Sequence, residues 1–313
     1  MLKAGTEKMS GKITCRILTG PTASGKTALS LRLAEKHGWE ICCMDSMQVY
    51  RGMDIGTAKP DAEDRKRVVH HLLDICDPKE NFSVAMYREM AEELIRKKWQ
   101  EGKELLFVGG TTLYLLALTQ SMDLGSVPAN EKLRAELHDL EKAPEGRIRL
   151  WEMLRDLDPE TAQRLPVNDV RRIIRAIEVS RATGIPYSRQ PQDRPASCFI
   201  WKTAALHLPR DILYAKINQR VLQMMKDGLA EEVAGLLGQG VPPDAQSMQA
   251  LGYKETVLYL KQVQSLEKTI DDIQKGTRHY AKRQETFLRA HPEIPGVEAL
   301  RDNTEQILEG ILA

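Results

Sequence analysis

Residues 17–30 read ILTGPTASGKTALS and contain the spacing G-x-x-x-x-G-K-T, which is typical of a phosphate-binding P-loop. The fixed positions of this motif are Gly20, Gly25, Lys26 and Thr27. The preceding run KITCRILT predicts a buried strand, and the following run ALSLRLAEKHG predicts a helix that ends at Gly38. Loop N–H groups at a helix N-terminus form a pocket for anionic oxygens. The stretch therefore predicts a phosphate chain bound to a strand–loop–helix unit.

The loop residues have distinct expected roles in that pocket. Lys26 adds a full positive charge, and the Thr27 hydroxyl is placed to bind Mg²⁺. The residues predicted to contact the phosphates are Gly20, Pro21, Thr22, Ala23, Ser24, Gly25, Lys26 and Thr27. A P-loop does not specify the reaction, so hydrolysis of a nucleotide, phosphorylation and another use of the diphosphate all stay open.

The composition is typical of a soluble protein, with 42% hydrophobic residues, 28% charged residues and a formal net charge of +1. A chain of 313 residues is long enough for about two domains. The near-neutral charge argues against a uniformly basic nucleic-acid coat but allows local basic patches. The sequence contains neither an apolar run of membrane-spanning length nor a signal-peptide pattern. We therefore expect a cytoplasmic monomer that does not contact membranes.

The cysteines and histidines of the chain lack the spacing of metal sites. No C-x-x-C pair occurs, so we expect buried thiols in a reducing cytosol at Cys15, Cys42, Cys43, Cys76 and Cys198. His70 and His71 have no third or fourth ligand at metal spacing. We interpret these two histidines as structural or hydrogen-bonding residues.

The pattern of elements predicts an α/β fold with two domains. Strand-like runs at KITCRILT, WEICCM and ELLFV are separated by helices or loops, which indicates a parallel sheet covered by helices. Residues 119–196 show helical patterns without a convincing strand, and CFIWKTAALHL then restores a strand. The prediction is a P-loop NTPase-like parallel sheet core, formed by residues 1–118 and 197–313 with C-terminal helices. Residues 119–196 are predicted to be an inserted helical domain.

The position of acidic residues narrows the chemistry. An ordinary P-loop NTPase places an acid at the end of an apolar strand to hold Mg²⁺. The strand ELLFV instead ends in GGTT at residues 109–112, and Asp45 is the only acid that ends a strand near the loop. The N-K-x-D motif of GTPases is also absent. The P-loop could thus hold the diphosphate of a substrate as a leaving group, with Asp45 as the base, although a kinase with Asp45 as its base fits the spacing nearly as well.

A series of further motifs carries a resemblance to a known family. DSMQVYRGMDIGTAKP, HHLLDICDP, VGGTTLY, NDVRRIIRAIEV, LGYKE and TRHYAKRQETFLR follow the P-loop in the order seen in tRNA dimethylallyltransferases. The resemblance runs from about residue 17 to residue 289. It implies transfer of a dimethylallyl group from dimethylallyl diphosphate to the exocyclic amine of the adenine just 3′ of the anticodon of tRNA. It also implies a P-loop-type core with an inserted helical domain.

The sequence departs from the usual family pattern at two positions. Thr112 lies where many members have Gly, and Phe287 lies where many have Trp. Neither departure removes a charged or nucleophilic group, so the expected activity is unchanged. The chain also lacks the C-terminal zinc-finger extension of eukaryotic members, which indicates a bacterial-type enzyme.

The resemblance assigns roles to individual residues. It implies that Asp45 accepts the amine proton, that Arg220 reaches the diphosphate and that Thr111 contacts substrate. Arg134 aligns with an arginine that contacts RNA near the reactive base. The expected catalytic residues are Asp45, Thr27, Lys26, Arg220 and Thr111, with Mg²⁺ at Thr27.

A base in a stacked anticodon loop must be extruded to react, and the RNA contacts must offset that cost. Residues 168–194 contain six arginines against three acids, and residues 275–289 contain five basic residues against Glu285. On the predicted helix at 275–289, Ile273, Tyr280 and Phe287 lie roughly opposite the basic side and are expected to contact the core. The predicted tRNA-binding residues are Asp45, Ser46, Met47, Gln48, Arg134, Arg171, Arg172, Arg175, Lys282, Arg283, Gln284 and Arg289.

Three alternatives compete with an RNA prenyltransferase. A small-molecule kinase would bind and turn over ATP, and a non-catalytic P-loop protein would bind RNA without transfer. A related adenylate prenyltransferase would act on a free nucleotide. The inserted helical domain and the basic C-terminal helix favour RNA as the acceptor.

Overall fold

A computed structural model gives the fold of the chain. It describes residues 12–120, 127, 129–190 and 199–313. No helix within these ranges is long and apolar enough to cross a membrane.

The chain divides into two compact units. One unit combines Met1–Gln120 with Ser197–Ala313, and the other is Ser121–Ala196. The sequence placed the first boundary after residue 118, and the structure divides after residue 120. We call these the core unit and the helical unit.

The core unit is built on one parallel sheet, which confirms the predicted fold class. Its strands in the described residues are β1 (Ile13–Thr19), β2 (Glu40–Cys43), β3 (His70–His71), β4 (Leu105–Val108), β5 (Phe199–His207) and β6 (Gly296–Glu298). Their order is β3-β2-β4-β1-β5-β6, and each neighbouring pair is parallel. The P-loop strand β1 therefore lies between β4 and β5, and the carboxyl ends of all the strands meet at one edge of the sheet.

Helices complete the core unit. They are α1 (Lys26–His37), α2 (Ala62–Arg67), α3 (Val84–Gln100), α4 (Thr112–Thr119), α9 (Arg210–Lys226), α10 (Leu229–Gly238), α11 (Tyr253–Leu260), α12 (Leu266–Arg289) and α13 (Thr304–Leu312). Helix α1 ends at Gly38, as predicted, because this residue adopts a left-handed conformation with φ of 68°. The strand–loop–helix unit around the P-loop is thus present as the sequence indicated.

Both faces of the sheet are covered, which explains why its strands are almost continuously apolar. Ile17 packs in one apolar layer with Phe107, whereas its neighbour Leu18 packs in the opposite layer with Leu33. All four of these side chains are fully buried. The predicted buried cysteines Cys15, Cys42, Cys43 and Cys76 are buried, and Cys198 lies outside the described residues.

The helical unit contains α5 (Glu131–Lys142), α6 (Gly146–Leu157), α7 (Pro159–Arg164) and α8 (Val170–Thr183). Its apolar core includes Leu150, Leu154, Ile173 and Ile177, each fully buried. Amphipathic helices of this length depend on such packing for their stability, because isolated short helices are marginal in water.

A buried carboxylate organises the helical unit. Glu178 on α8 has a fully buried side chain, and it accepts hydrogen bonds from Arg134 at 3.0 Å, Arg175 at 2.5 Å and the Asn130 amide at 2.7 Å. Burial alone would raise the pKa of the Glu178 carboxyl, but the hydrogen bonds from Arg134, Asn130 and Arg175 outweigh it and lower that pKa. Glu178 therefore stays ionised and joins the start of α5 to α8.

We predict that Glu178→Gln destabilises the helical unit, because it leaves two arginines without their shared counter-ion. The expected loss is about 2 kcal/mol, less than for a fully buried pair because both arginines are partly exposed. Native-state hydrogen exchange of α5 and α8 amides measures it. Glu160→Gln in the exposed Arg164–Glu160 pair is the matched control and should cost under about 1 kcal/mol. Equal effects of the two substitutions would contradict the organising role of Glu178.

Candidate active site

A cavity of about 280 Å³ lies at the carboxyl ends of the central strands, where parallel α/β folds usually bind ligands. Residues 22–27 of the P-loop form one wall, and Asp45 follows β2 on another. The remaining lining includes Gly109, Gly110, Arg220, Tyr280 and Gln284. Chain segments that are distant in sequence thus converge on the phosphate-binding loop.

Two glycines give the P-loop its conformation. Gly20 has φ of 142°, and a Cβ at this position would lie 2.7 Å from the Leu206 carbonyl oxygen. Gly25 has φ of 93° immediately before α1 begins. Both conformations are ones that L side chains rarely adopt, so the loop requires glycine at each position.

Lys26 lies inside the loop rather than beside it. Its ammonium donates to the carbonyl oxygens of Gly20 at 2.8 Å and Pro21 at 2.6 Å. Burial, together with the nearby charge of Arg220, lowers the Lys26 pKa to about 7, although Asp45 opposes the shift. An anion in the cavity would restore the charged ammonium. Gly20 and Pro21 thus support the loop through Lys26, whereas the six residues after them line the cavity.

Arg220 projects from α9 into the same cavity. Its pKa is lowered by burial, which disfavours the charged guanidinium. Lys26 and Arg220 both line the cavity, so two basic side chains lie close together in a partly buried space. Such an arrangement is suited to a ligand with several negative charges, and a diphosphate has that character.

Asp45 combines a turn-forming role with a position in the cavity. Its Oδ1 accepts the backbone N–H groups of Met47 at 2.9 Å and Gln48 at 3.4 Å. Burial raises the Asp45 pKa, while these two hydrogen bonds and Lys26 oppose the shift. Oδ1 is committed to the turn, so Oδ2 is the oxygen left to accept a proton.

Thr111 and Tyr280 lie next to this carboxylate. Thr111 Oγ1 accepts the Ser46 N–H at 3.0 Å, and Tyr280 lies in the same cavity as Asp45. Burial raises the Tyr280 pKa to about 12, so the phenol stays neutral. Tyr280 was expected to pack in the core. It instead lines the cavity, and helical spacing alone could not distinguish these two inward environments.

Three of the predicted tRNA contacts near the site have side chains that are used within the protein, and their contact with tRNA stays a prediction. Met47 packs against the apolar layer of the core. The Gln48 amide donates to the Thr57 and Ala58 carbonyls at 2.9 and 3.2 Å. Gln284 is only 3% exposed, and its carboxamide is bonded to backbone groups. Asp45 and Ser46 remain candidates for contact with the reactive base.

The basic residues predicted to bind RNA fall into two groups. Lys282, Arg283 and Arg289 on α12 are exposed, as are Arg171 and Arg172 on α8. Arg134 and Arg175 are partly exposed and pair with the buried Glu178, and their contact with RNA stays a prediction. The number of charged residues in the sequence does not reveal that Glu178 is buried between these two arginines.

The two residues that depart from the family pattern, Thr112 and Phe287, both lie outside the cavity lining. Thr112 is the first residue of α4 and is half-buried. Phe287 packs against the core, with its ring centroid 4.2 Å from that of His291.

The donor set fits Mg²⁺ only together with substrate phosphates. In the described part of the chain, no group of three or more His, Cys, Asp or Glu side chains could hold a metal ion. Thr27 does line the cavity with Asp45, and Mg²⁺ is commonly bound through few protein groups plus phosphate oxygens.

The two adjacent histidines, His70 and His71, are hydrogen-bonded within the protein. His70 Nδ1 pairs with the Val68 carbonyl at 2.8 Å, and His71 Nε2 pairs with Glu40 at 2.6 Å.

Known proteins resemble this chain over nearly its whole length. The family described as IPP transferase matches residues 48–291. A tRNA dimethylallyltransferase of Geobacter metallireducens is 45% identical over 287 residues, covering 90% of this chain and 91% of its own. One of Pelotomaculum thermopropionicum is 40% identical over 305 residues, covering 95% and 96%.

Solved structures of proteins with related names have folds similar to that of this chain. The tRNA isopentenylpyrophosphate transferase of Bacillus halodurans has a TM-score of 0.71 at 38% identity and covers 96% of both chains. A eukaryotic dimethylallyltransferase acting on tRNA has a TM-score of 0.77 at 25% identity, covering 95% of this chain and 77% of its own. With the P-loop, Asp45 and Arg220 around one cavity, these similarities establish that the chain belongs to the tRNA dimethylallyltransferase family.

Proposed function

We propose that the chain transfers a dimethylallyl group from dimethylallyl diphosphate to the exocyclic amine of the adenine 3′-adjacent to the anticodon of tRNA. The observation that carries the proposal is the convergence of Lys26, Arg220 and Asp45 on one P-loop cavity. Two cations suit a departing diphosphate, and one carboxylate suits an amine that must lose a proton. The names of the relatives support the same activity.

The reaction exchanges a carbon–oxygen bond for a carbon–nitrogen bond and moves one proton from the amine to a base. The adenine nitrogen attacks the first carbon of the allyl group while the bond from that carbon to the diphosphate oxygen breaks. Negative charge grows on the leaving diphosphate, where Lys26, Arg220 and the loop N–H groups stabilise it. Oδ2 of Asp45 accepts the proton from the amine, which becomes far more acidic as it is alkylated.

Mg²⁺ is part of the proposal as a partner of the diphosphate. The Thr27 hydroxyl would hold it together with phosphate oxygens, and the ion would supply charge neutralisation when bound. The loop amides, Lys26 and Arg220 act on the same phosphates from the protein side.

Binding of the anticodon stem-loop must offset the cost of extruding one base, which is a few kcal/mol. The exposed Lys282, Arg283 and Arg289 of α12 are the proposed phosphate contacts of the core unit, and Arg171 and Arg172 are those of the helical unit. The proposal also includes a monomeric, cytoplasmic enzyme.

A kinase or an adenylate prenyltransferase would use a similar cavity. Both are disfavoured by the relatives, which are named tRNA dimethylallyltransferases. Their similarity covers at least 90% of this chain. The kinase differs from the proposal in a simple way, because it must turn over ATP.

We predict that Lys26→Ala lowers the rate of prenyl transfer about 10²–10³-fold, because it removes a charge that stabilises the leaving group. Transfer should need no ATP. The assay follows labelled dimethylallyl diphosphate into tRNA, with AMP as the competing acceptor. Lys36→Ala, an exposed position in the last turn of α1, is the matched control. Robust tRNA-independent ATP turnover by the wild-type protein would support the kinase instead.

We predict that Asp45→Asn lowers the single-turnover rate about 10²–10⁴-fold and changes tRNA affinity much less. Asn can still accept the Met47 N–H through its side-chain oxygen, so the turn is kept while the base is removed. Asp45→Ala removes both the base and the turn contact, so a comparison of the two variants separates the effects of these functions. A rate for Asp45→Asn within a few-fold of wild type would exclude Asp45 as the base.

We predict that replacing Lys282 and Arg283 together by Ala weakens tRNA binding and reduces its salt dependence by about one unit of slope per lost phosphate contact. The measurement is the tRNA dissociation constant at several salt concentrations. Lys97→Ala with Lys103→Ala removes two exposed lysines near the opposite, amino-terminal edge of the sheet and serves as the control. Unchanged affinity and slope in the α12 variant would show that its basic face is only solvated.

A further inference from the structure

The side chain of Gln284 connects the two loops that form the floor of the cavity. Its Oε1 accepts the Thr22 N–H of the P-loop at 2.9 Å, and its Nε2 donates to the Gly110 carbonyl oxygen at 2.7 Å. The residue is 3% exposed, although it lies on α12 between exposed basic residues and Glu285. One buried carboxamide therefore bridges the P-loop and the loop after β4.

The chain leaves space for this bridge at Gly110. A Cβ on Gly110 would lie 2.2 Å from Nε2 of Gln284 and 3.0 Å from the Gly20 carbonyl oxygen. Any larger residue would displace the Gln284 amide from its position. The second glycine of the sequence VGGTTLY is thus explained by the side chain that passes over it.

The chemistry of the bridge is specific to an amide. It needs an acceptor for Thr22 and a donor for Gly110 on one planar group of this length. A carboxylate could accept but not donate, and a methionine of similar size could do neither. Asparagine would be one methylene shorter.

We propose that Gln284 is a positioning residue of the diphosphate site. It fixes the start of the P-loop through Thr22, so that the N–H groups of the following residues point into the cavity. The inference rests on the proposed function, since it assigns the loop to a diphosphate. Gln284 acts through the backbone and does not itself contact tRNA.

The test compares full-length wild type with Gln284→Met, using Mg²⁺-pyrophosphate as the probe in calorimetry and tRNA in a separate titration. We expect pyrophosphate binding to weaken about tenfold, which corresponds to the loss of about one to two net hydrogen bonds, while the tRNA dissociation constant stays within about twofold. Unchanged pyrophosphate affinity with weakened tRNA binding would overturn the inference in favour of an RNA contact. A wild-type protein that does not bind pyrophosphate would overturn the proposed function as well.

A second set of variants tests the bridge even if Gln284→Met folds poorly. Gly110→Ala should weaken pyrophosphate binding when Gln284 is present, because the new Cβ displaces its amide. In the Gln284→Ala background the same substitution should have a smaller effect, because only the 3.0 Å approach of the new Cβ to the Gly20 carbonyl oxygen is left, and such non-additivity is expected of residues in contact. Equal effects of Gly110→Ala in both backgrounds would contradict the proposal.

Discussion

Lys26 and Arg220 share one partly buried cavity in which Asp45 is the only carboxylate among the described lining residues, so the cavity carries an imbalance of charge. Burial lowers the pKa of both cations, and it raises the pKa of Asp45. Each group is thus moved toward its neutral form. A diphosphate would reverse the shifts of the two cations, because its charge favours their protonated forms. In the proposed reaction, binding of the anion would therefore charge the same groups that stabilise it as a leaving group.

The close approach of backbone segments is the second constraint on the site. Gly20 lies against Leu206, and Gly109 lies so near Met44 that a Cβ would be 2.0 Å from its carbonyl oxygen. The first contact brings the end of β1 against β5, and the second brings the end of β4 against the end of β2, so that segments distant in sequence approach one cavity. Glycine at these positions allows the main-chain segments to approach closely. The P-loop motif predicts Gly20 and Gly25 but not Gly109.

The sequence predicts the features that depend on local spacing. The strand before the P-loop, helix α1 and the position of Asp45 after a strand are all encoded within a few residues, and the parallel sheet follows from their alternation. Arg220 could be assigned only by resemblance, because nothing near it in the sequence shows that α9 faces the loop. The structural roles of Arg134 and Arg175 were missed for a related reason. Their partner Glu178 is one of 44 acidic residues, and its burial is a property of the packed helices.

Helix α12 shows why neighbouring residues in one motif have different roles. Tyr280 and Gln284 are four residues apart, so they lie on the same face and both line the cavity. Lys282 and Arg283 lie between them in sequence but point to solvent. The Arg283 guanidinium also lies 5.7 Å from the centroid of the Tyr280 ring, at the edge where the two faces meet. A single helix thus presents a neutral, hydrogen-bonding face to the cavity and a cationic face to solvent. In the proposed function these two faces have different requirements, because a diphosphate in the cavity needs fixed hydrogen-bond geometry, whereas tRNA phosphates at the surface need only accessible charge.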